Sequence, residues 1–273
     1  MKTAIITGVS SGVGNATAKL FQQQGYQVFG LARTAYKHSE LSDLGVKLFD
    51  VDLTDSTALE KTINQIKQQT STIDVLANIA GMATNGAIET VPIEDAKFEF
   101  NVNLFGVMQL TNAVLPIMRE QKHGRIINVS SVVTQVPMPL MGWYRASKSA
   151  LDAVADSMRT ELEPFNIQVS NLHPNGIDTP MIKTTNSFVK YSENTVYKPL
   201  VHKMAKMMDA GADPKNLSSP EELAATILKA ATTEHSKYYY TLGKGSRSLT
   251  FLNRILSKRL LTKITTIPLK NSK

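Results

Sequence analysis

Tyr144 and Lys148 stand four residues apart in the stretch GWYRASKSA, residues 142–150. On a helix this spacing puts a phenol and an ammonium on one face, about one turn apart. A phenol of pKa about 10 is a poor acid or base at neutral pH, and a fixed cation beside it favours the phenolate. Such a pair can deliver a proton to a carbonyl oxygen or remove one from an alcohol. Tyrosine and lysine also meet at this spacing by chance, so its meaning depends on the elements that position it.

The chain begins with a strand-like run, residues 2–7, followed by GVSSGVG and an amphipathic segment carrying Ala16, Leu20 and Phe21. Strand, glycine-rich turn and helix in this order form a dinucleotide-binding start. Gly8 suits the tight turn, Gly12 lets backbone approach a pyrophosphate, and Gly14 permits close helix packing. Ser10, Ser11 and Val13 complete this expected phosphate wall. A second strand, 26–31, ends in Ala32-Arg33-Thr34. An acid here would bind ribose hydroxyls and repel a 2′-phosphate; an arginine would pair with that phosphate. Arg33 therefore favours NADP, the alternative being a solvent arginine after a strand.

A third strand, 46–51, leads to Asp52 and Leu53. Asp52 is placed to accept from an adenine amino group, while Thr54 or Asp55 is placed to cap a helix over 56–69. A fourth strand, 73–77, ends in Asn78-Ile79-Ala80-Gly81, where the small pair lets something flat approach the backbone. The next helix is expected over 93–121, with Phe98, Val102, Phe105, Leu110 and Val114 buried. Asn103 within it is disfavoured by propensity, and suggests a local backbone bond, a held water or a bend. A fifth strand, 125–129, ends at Ser130-Ser131, and the Tyr144 helix runs to about residue 163. A sixth strand, 167–172, is followed by HPNGIDTPM. Ser219 and Pro220 start another helix, and residues 237–241 form a last strand.

Residues 182–216 hold Phe188, Tyr191, Tyr197, Met204, Met207 and Met208 among polar neighbours. Short helices forming a lid would let them wall a pocket; equally, the methionines would fill gaps against the sheet. Met138, Leu140, Met141 and Trp143 add apolar surface before the tyrosine. The alternation of strands and helices predicts an α/β protein with a Rossmann-type, doubly wound parallel sheet in three layers. We expect one catalytic domain over 1–245 with a small helical substrate lid, and an extension over 246–273.

The absence of cysteine excludes disulfides and thiolate chemistry. Of the 30 lysines and arginines, eight fall after residue 240 without a single acid, and the remainder of the chain is close to neutral. This argues against a general nucleic-acid binder. In the extension, Leu249, Leu252, Ile255, Leu256 and Leu260 recur at helical spacing among Arg254, Lys258, Arg259 and Lys263. Such a segment suits an anionic membrane surface, a cover for the pocket, or a subunit contact. No apolar run of 18 residues or more spans a bilayer, and the chain enters its first strand at once. A cytoplasmic location, with peripheral membrane association, is expected.

Taken together, residues 2–245 resemble the short-chain dehydrogenase/reductase family. The glycine motif appears as Thr7, Gly8, Gly12 and Gly14, and an Asn-Asn-Ala-Gly motif as Asn78-Ile79-Ala80-Gly81. The helix asparagine matches Asn103. The catalytic serine, thirteen residues before the tyrosine, matches Ser131, and Tyr-x-x-x-Lys matches Tyr144 and Lys148. Asn175 departs from the pattern, since glycine usually follows the proline equivalent to Pro174.

The resemblance implies a carbonyl–alcohol oxidoreductase using NADP(H). Ser131 and Tyr144 would donate to a carbonyl oxygen, Tyr144 would supply the proton, and Lys148 would lower the tyrosine's pKa and bind ribose hydroxyls. Asn103 would hold a relay water, while Pro174, Ile177 and Thr179 would border the nicotinamide. It also implies a homodimer or homotetramer through the helices around Asn103 and Tyr144. No metal is expected. The lid and the apolar residues before the tyrosine point to a hydrophobic ketone, aldehyde or secondary alcohol, and within the family the chain is similar to the steroid- and retinol-type members. Two other readings are a catalytically silent NADP-binding sensor or scaffold and an epimerase or dehydratase of nucleotide sugars.

Overall fold

The computed structural model describes residues 1–180, 190–211 and 215–263. Phe188 of the expected lid, and Lys270 and Lys273 of the extension, lie outside the described residues. Seven strands form one parallel sheet in the order β3-β2-β1-β4-β5-β6-β7. They are β1 (Thr3–Thr7), β2 (Gln27–Ala32), β3 (Lys47–Asp50), β4 (Val75–Asn78), β5 (Gly124–Val129), β6 (Ile167–Pro174) and β7 (Tyr239–Leu242). Every residue of β1 and β4 is buried, as a parallel sheet covered on both faces requires.

The helices follow as α1 (Gly12–Gln23), α2 (Ser39–Asp43), α3 (Ser56–Lys67), α4 (Ile93–Phe100), α5 (Val107–Gln121) and α6 (Gly142–Leu162). Further on come α7 (Lys198–Gly211), α8 (Pro220–Thr232) and α9 (Ser246–Ile255). On one face of the sheet, Phe21 of α1 and Leu223 and Ile227 of α8 share a core with Ile6 and Val28. On the other, Ile63 of α3, Leu110 and Val114 of α5, and Met158 of α6 pack on Ile5, Leu76 and Ile126. These three layers match the expected architecture. Asp55 caps α3 by accepting from the Ala58 N–H at 2.9 Å. Ser219 and Glu222 close a capping box ahead of α8.

The single helix expected over 93–121 is instead α4, a π-helical turn at Asn101–Gly106, and α5. Phe98 and Phe105, expected in the core, are exposed, whereas Leu110 and Val114 are fully buried. The turn's extra residue rotates the helix face, so one helical period cannot describe the whole segment. The short helical segments Ala35–Lys37 and α2 are additions to the expected elements.

Candidate active site

The cleft lies at the carboxyl edge of the sheet and encloses about 540 Å³. Its first wall is Gly8 and residues 10–14 at the start of α1. Gly8 and Gly12 have φ of 75° and 51°. A Cβ on Gly14 would lie 2.1 Å from the Gly8 carbonyl oxygen, and one on Gly12 would lie 2.9 Å from the Thr179 methyl. No side chain fits at Gly14 without moving backbone. Ser11 precedes α1 in extended conformation and makes no side-chain cap, leaving the first helical N–H groups directed toward the cleft. Thr7 fastens β1 to the neighbouring edge by accepting from the N–H groups of Ile79 and Ala80 at 2.9 and 3.0 Å.

Arg33, Asp52 and Leu53 line the same cleft beyond β2 and β3. Among the described residues, no carboxylate pairs with Arg33, so its guanidinium is available to an anion. Asp52 Oδ1 accepts from the N–H and hydroxyl of Thr54. Ala80 and Gly81 form the floor, and a Cβ on Gly81 would meet Asn103 Oδ1 at 3.1 Å and Lys148 Nζ at 3.2 Å. Pro174, Ile177 and Thr179 close the opposite side. Asn175 does not occupy the left-handed conformation expected of a glycine replacement. Gly176 takes it, at φ 59°. The Asn175 amide instead donates to the Lys244 carbonyl at 2.7 Å and ties this turn to the end of β7.

Asn78, expected to touch the cofactor, does not line the cleft. It is 2% exposed and donates to Asn128 Oδ1 at 2.9 Å and Thr111 Oγ1 at 3.3 Å. A polar side chain on a central strand must find partners inside the protein, and the Asn78 amide nitrogen finds them on β5 and α5.

Ser131, Tyr144 and Lys148 converge on the cleft from the end of β5 and from α6. The Tyr144 and Ser131 hydroxyls lie close enough for Ser131 to act on the phenol's protonation. Lys148 donates to the Val129 carbonyl at 2.9 Å. Burial pushes the Tyr144 phenol up to about 12; the neighbouring Ser131 hydroxyl opposes the rise and the Glu99 charge adds to it. Burial pulls Lys148 down to about 8, opposed by the charges of Asp152 and Glu99. The expected lowering of the tyrosine by its lysine is thus corrected: burial dominates, and the phenol holds its proton at neutral pH.

Asn103 is fully buried in the π-turn. Its side chain brackets Met82, accepting from the N–H at 2.9 Å and donating to the carbonyl at 2.8 Å. It also donates to Ser147 Oγ at 3.0 Å. Sequence reasoning missed Glu99, one turn earlier and equally buried. Glu99 accepts from Ser147, Asn103 and the Thr84 N–H. Burial raises its pKa against the hydrogen bonds from Thr84 and Ser147. The available signal was an acid set inside an apolar helix, FEFNVNLF.

The lid residues divide by role. Val201 and Met204 of α7 are fully buried and pack with Leu140, Met141 and Tyr144. Met207 and Met208, one turn on, line the cleft with Met82, Met138 and Met141. Trp143 and Leu140 do not line it, and the Trp143 indole donates to the Ile88 carbonyl. Tyr191 is likewise engaged elsewhere, donating to Asp95 at 2.8 Å.

The doubly wound parallel sheet and its glycine-walled cleft are those of a dinucleotide-binding fold. Residues 2–190 match the profile of the short chain dehydrogenase family. The chain is 32% identical to a 3-ketodihydrosphingosine reductase of Bacteroides thetaiotaomicron, covering 88% of this chain and 87% of the relative. It is 28% identical to an NADPH-dependent 3-dehydrocapnine reductase of Ornithobacterium rhinotracheale, over 97% and 96%. Its fold superposes on a short-chain dehydrogenase from Streptomyces avermitilis with a TM-score of 0.82 at 24% identity, covering 100% of this chain and 98% of the other. The chain belongs to the short-chain dehydrogenase/reductase family and is an oxidoreductase with the capacity to bind NAD or NADP.

Proposed function

We propose that this enzyme interconverts a hydrophobic ketone and its secondary alcohol with NADP(H). The observation that carries the reading is the meeting of Ser131, Tyr144 and Lys148 in one cleft with a glycine cradle and with Arg33, which no carboxylate among the described residues pairs. Residues 10–14 would hold the pyrophosphate, Arg33 the 2′-phosphate, and Lys148 the ribose hydroxyls beside the nicotinamide. When bound, the cofactor supplies hydride in reduction and accepts it in oxidation.

Ser131 and Tyr144 donate hydrogen bonds to the substrate oxygen and stabilise the negative charge that develops on it. Tyr144, held protonated by burial, gives its proton to that oxygen. Lys148 lies on the same helix face and offsets the charge left on the phenolate. Asn103 fixes the Met82 backbone at the floor and joins the π-turn to α6 by its bond to Ser147.

Met82, Met138, Met141, Met207 and Met208 give the pocket a pliable apolar wall. Together with relatives named for 3-ketodihydrosphingosine and 3-dehydrocapnine, this favours a lipophilic ketone. Within a series of alkyl ketones, KM is expected to fall with chain length, by roughly tenfold for every two buried methylenes, since each contributes about 0.8 kcal/mol. A KM independent of chain length would remove the hydrophobic-substrate reading.

The same proposal includes a homo-oligomer through α4, α5 and α6, where Phe98 and Phe105 are exposed, and a peripheral membrane contact through α9. No helix among the described residues is long and apolar enough to cross a membrane. The outer face of α9 and the residues after it present Arg247, Phe251, Arg254, Ile255 and Lys258, with Phe251 62% exposed and Ile255 59% exposed. Apolar side chains flanked by cations suit an anionic lipid interface. Cosedimentation with anionic vesicles is expected to fall several-fold on replacing Phe251 and Ile255 by alanine, and to be weak with neutral vesicles. Equal binding by both proteins to both vesicle types would rule the contact out.

A further inference from the structure

Three asparagines stand side by side on adjacent strands: Asn78 of β4, Asn128 of β5 and Asn171 of β6 are register partners. Their side chains form an amide ladder pointing one way. Asn78 Nδ2 donates to Asn128 Oδ1 at 2.9 Å, and Asn128 Nδ2 donates to Asn171 Oδ1 at 3.0 Å. Asn171 Nδ2 then donates at 2.8 Å to Oδ1 of Asp152, on α6 one turn beyond Lys148. Asp152 Oδ2 is bonded at 3.0 Å to Nε2 of His173, two residues along β6. At the other end Asn78 reaches Thr111 on α5, whose hydroxyl donates to the Val107 carbonyl just after the π-turn.

All three asparagines and His173 are at most 3% exposed. An isolated ladder has no preferred direction, and this one leaves Asn78 Oδ1 buried without a partner, at a cost of about 1–3 kcal/mol. Only an acceptor-only group at the far end makes that direction favourable, and an ionised aspartate is such a group. Apart from that one oxygen, each link of the ladder is satisfied, and a buried network of this kind rigidifies the elements it joins.

We propose that Asp152 is a positioning residue for the reaction: through this ladder and His173 it holds the Tyr144–Lys148 helix against the strand ends, and it places a negative charge one turn from Lys148. The inference rests on the catalytic reading of Tyr144 and Lys148. The two acids acting on Lys148 are Asp152 from its own helix and Glu99 from α4, with Asp152 the larger influence. Burial alone would raise the Asp152 carboxyl, but the hydrogen bond and charge of His173 help hold it below the usual carboxylate range. The remaining nearby groups are Tyr144, the Tyr239 ring stacked on His173, and Asp156, which is engaged by Arg159 and Tyr239.

The test compares wild type, Asp152→Asn and Asn171→Ala in NADPH-dependent ketone reduction across pH, with kcat, KM and melting temperature recorded. Asp152→Asn removes the anion, so Lys148 loses its proton at lower pH. The alkaline limb of kcat should move down by about one pH unit, and kcat should fall about tenfold or more from mispositioning, with KM little changed. Asn171→Ala keeps the charge and breaks the ladder, so kcat should fall without any shift of the limb. A lowered melting temperature in both variants, with wild-type kcat per folded enzyme and an unmoved limb, would overturn the proposal.

If Asp152→Asn does not fold, Asp152→Glu takes its place. It is expected to lower kcat with the limb unmoved, and wild-type kcat from a folded Asp152→Glu enzyme would overturn the proposal. Tyr144→Phe is run alongside. Retained activity there would refute the catalytic reading itself, whereas an inactive Tyr144→Phe with unaffected Asp152 variants would refute only this inference.

Discussion

Tyr144→Phe is expected to lower kcat by about 10²–10⁴-fold, the range for losing a positioned general acid, while NADP affinity changes little. The phenyl ring keeps its packing against Met141, Val201 and Met204, so the fold should persist. What disappears is the hydroxyl beside Ser131, and with it the only phenolic proton that reaches the cleft among the described residues. The pH profile carries a second expectation. With Tyr144 pushed up to about 12 and Lys148 drawn down to about 8, the lysine is the first of the pair to lose its proton as pH rises. Reduction by wild type should therefore decline near pH 8. A decline only at much higher pH would mean that Lys148 is not needed as a cation. Near-wild-type turnover by the phenylalanine variant would mean that another group delivers the proton.

Arg33→Ala is expected to raise KM for NADPH roughly 10- to 100-fold, because a hydrogen bond to a charged group contributes about 1.5–3 kcal/mol. KM for NADH should hardly move, since only the 2′-phosphate distinguishes the two cofactors. No acid follows β2 to bind a free ribose hydroxyl there, as Ala32, Arg33 and Thr34 end the strand. Steady-state kinetics with both cofactors on both proteins give the answer. A wild type that prefers NADH, or an alanine variant with unchanged KM for NADPH, would refute the assignment of Arg33.

Much of the cofactor half was legible because backbone constraints write themselves into residue types. Gly8 must adopt positive φ and Gly14 has no room for a side chain, so glycine at those positions is required. The place of Arg33 on the cleft was legible because a charge at a strand end stays out of the core. Asn78 was misassigned because an asparagine near a ligand edge reads the same whether it faces the cleft or its neighbours on the sheet. Only the register that aligns Asn78, Asn128 and Asn171 distinguishes the two. Asn103 was expected to make a local backbone bond, hold a water or bend the helix; the π-turn itself was not legible, since one inserted residue shifts the phase of every later side chain. Glu99 escaped because an acid in a helix is ordinarily assigned to the surface, and two of its three buried donors, the Thr84 N–H and the Ser147 hydroxyl, come from other elements of the chain. The Tyr144 shift was read with the wrong sign because spacing reports the neighbouring cation but not the depth of burial.

The central claim is that this cleft performs carbonyl reduction and does more than bind a nucleotide. The most direct test is to incubate wild type with NADPH and a long-chain ketone at pH 7 and measure NADPH consumed and alcohol formed. One alcohol per NADPH, catalytic in enzyme, is the expected result. Tight NADP binding with no alcohol from any hydrophobic ketone or aldehyde would contradict the account and leave a nucleotide-binding protein without turnover.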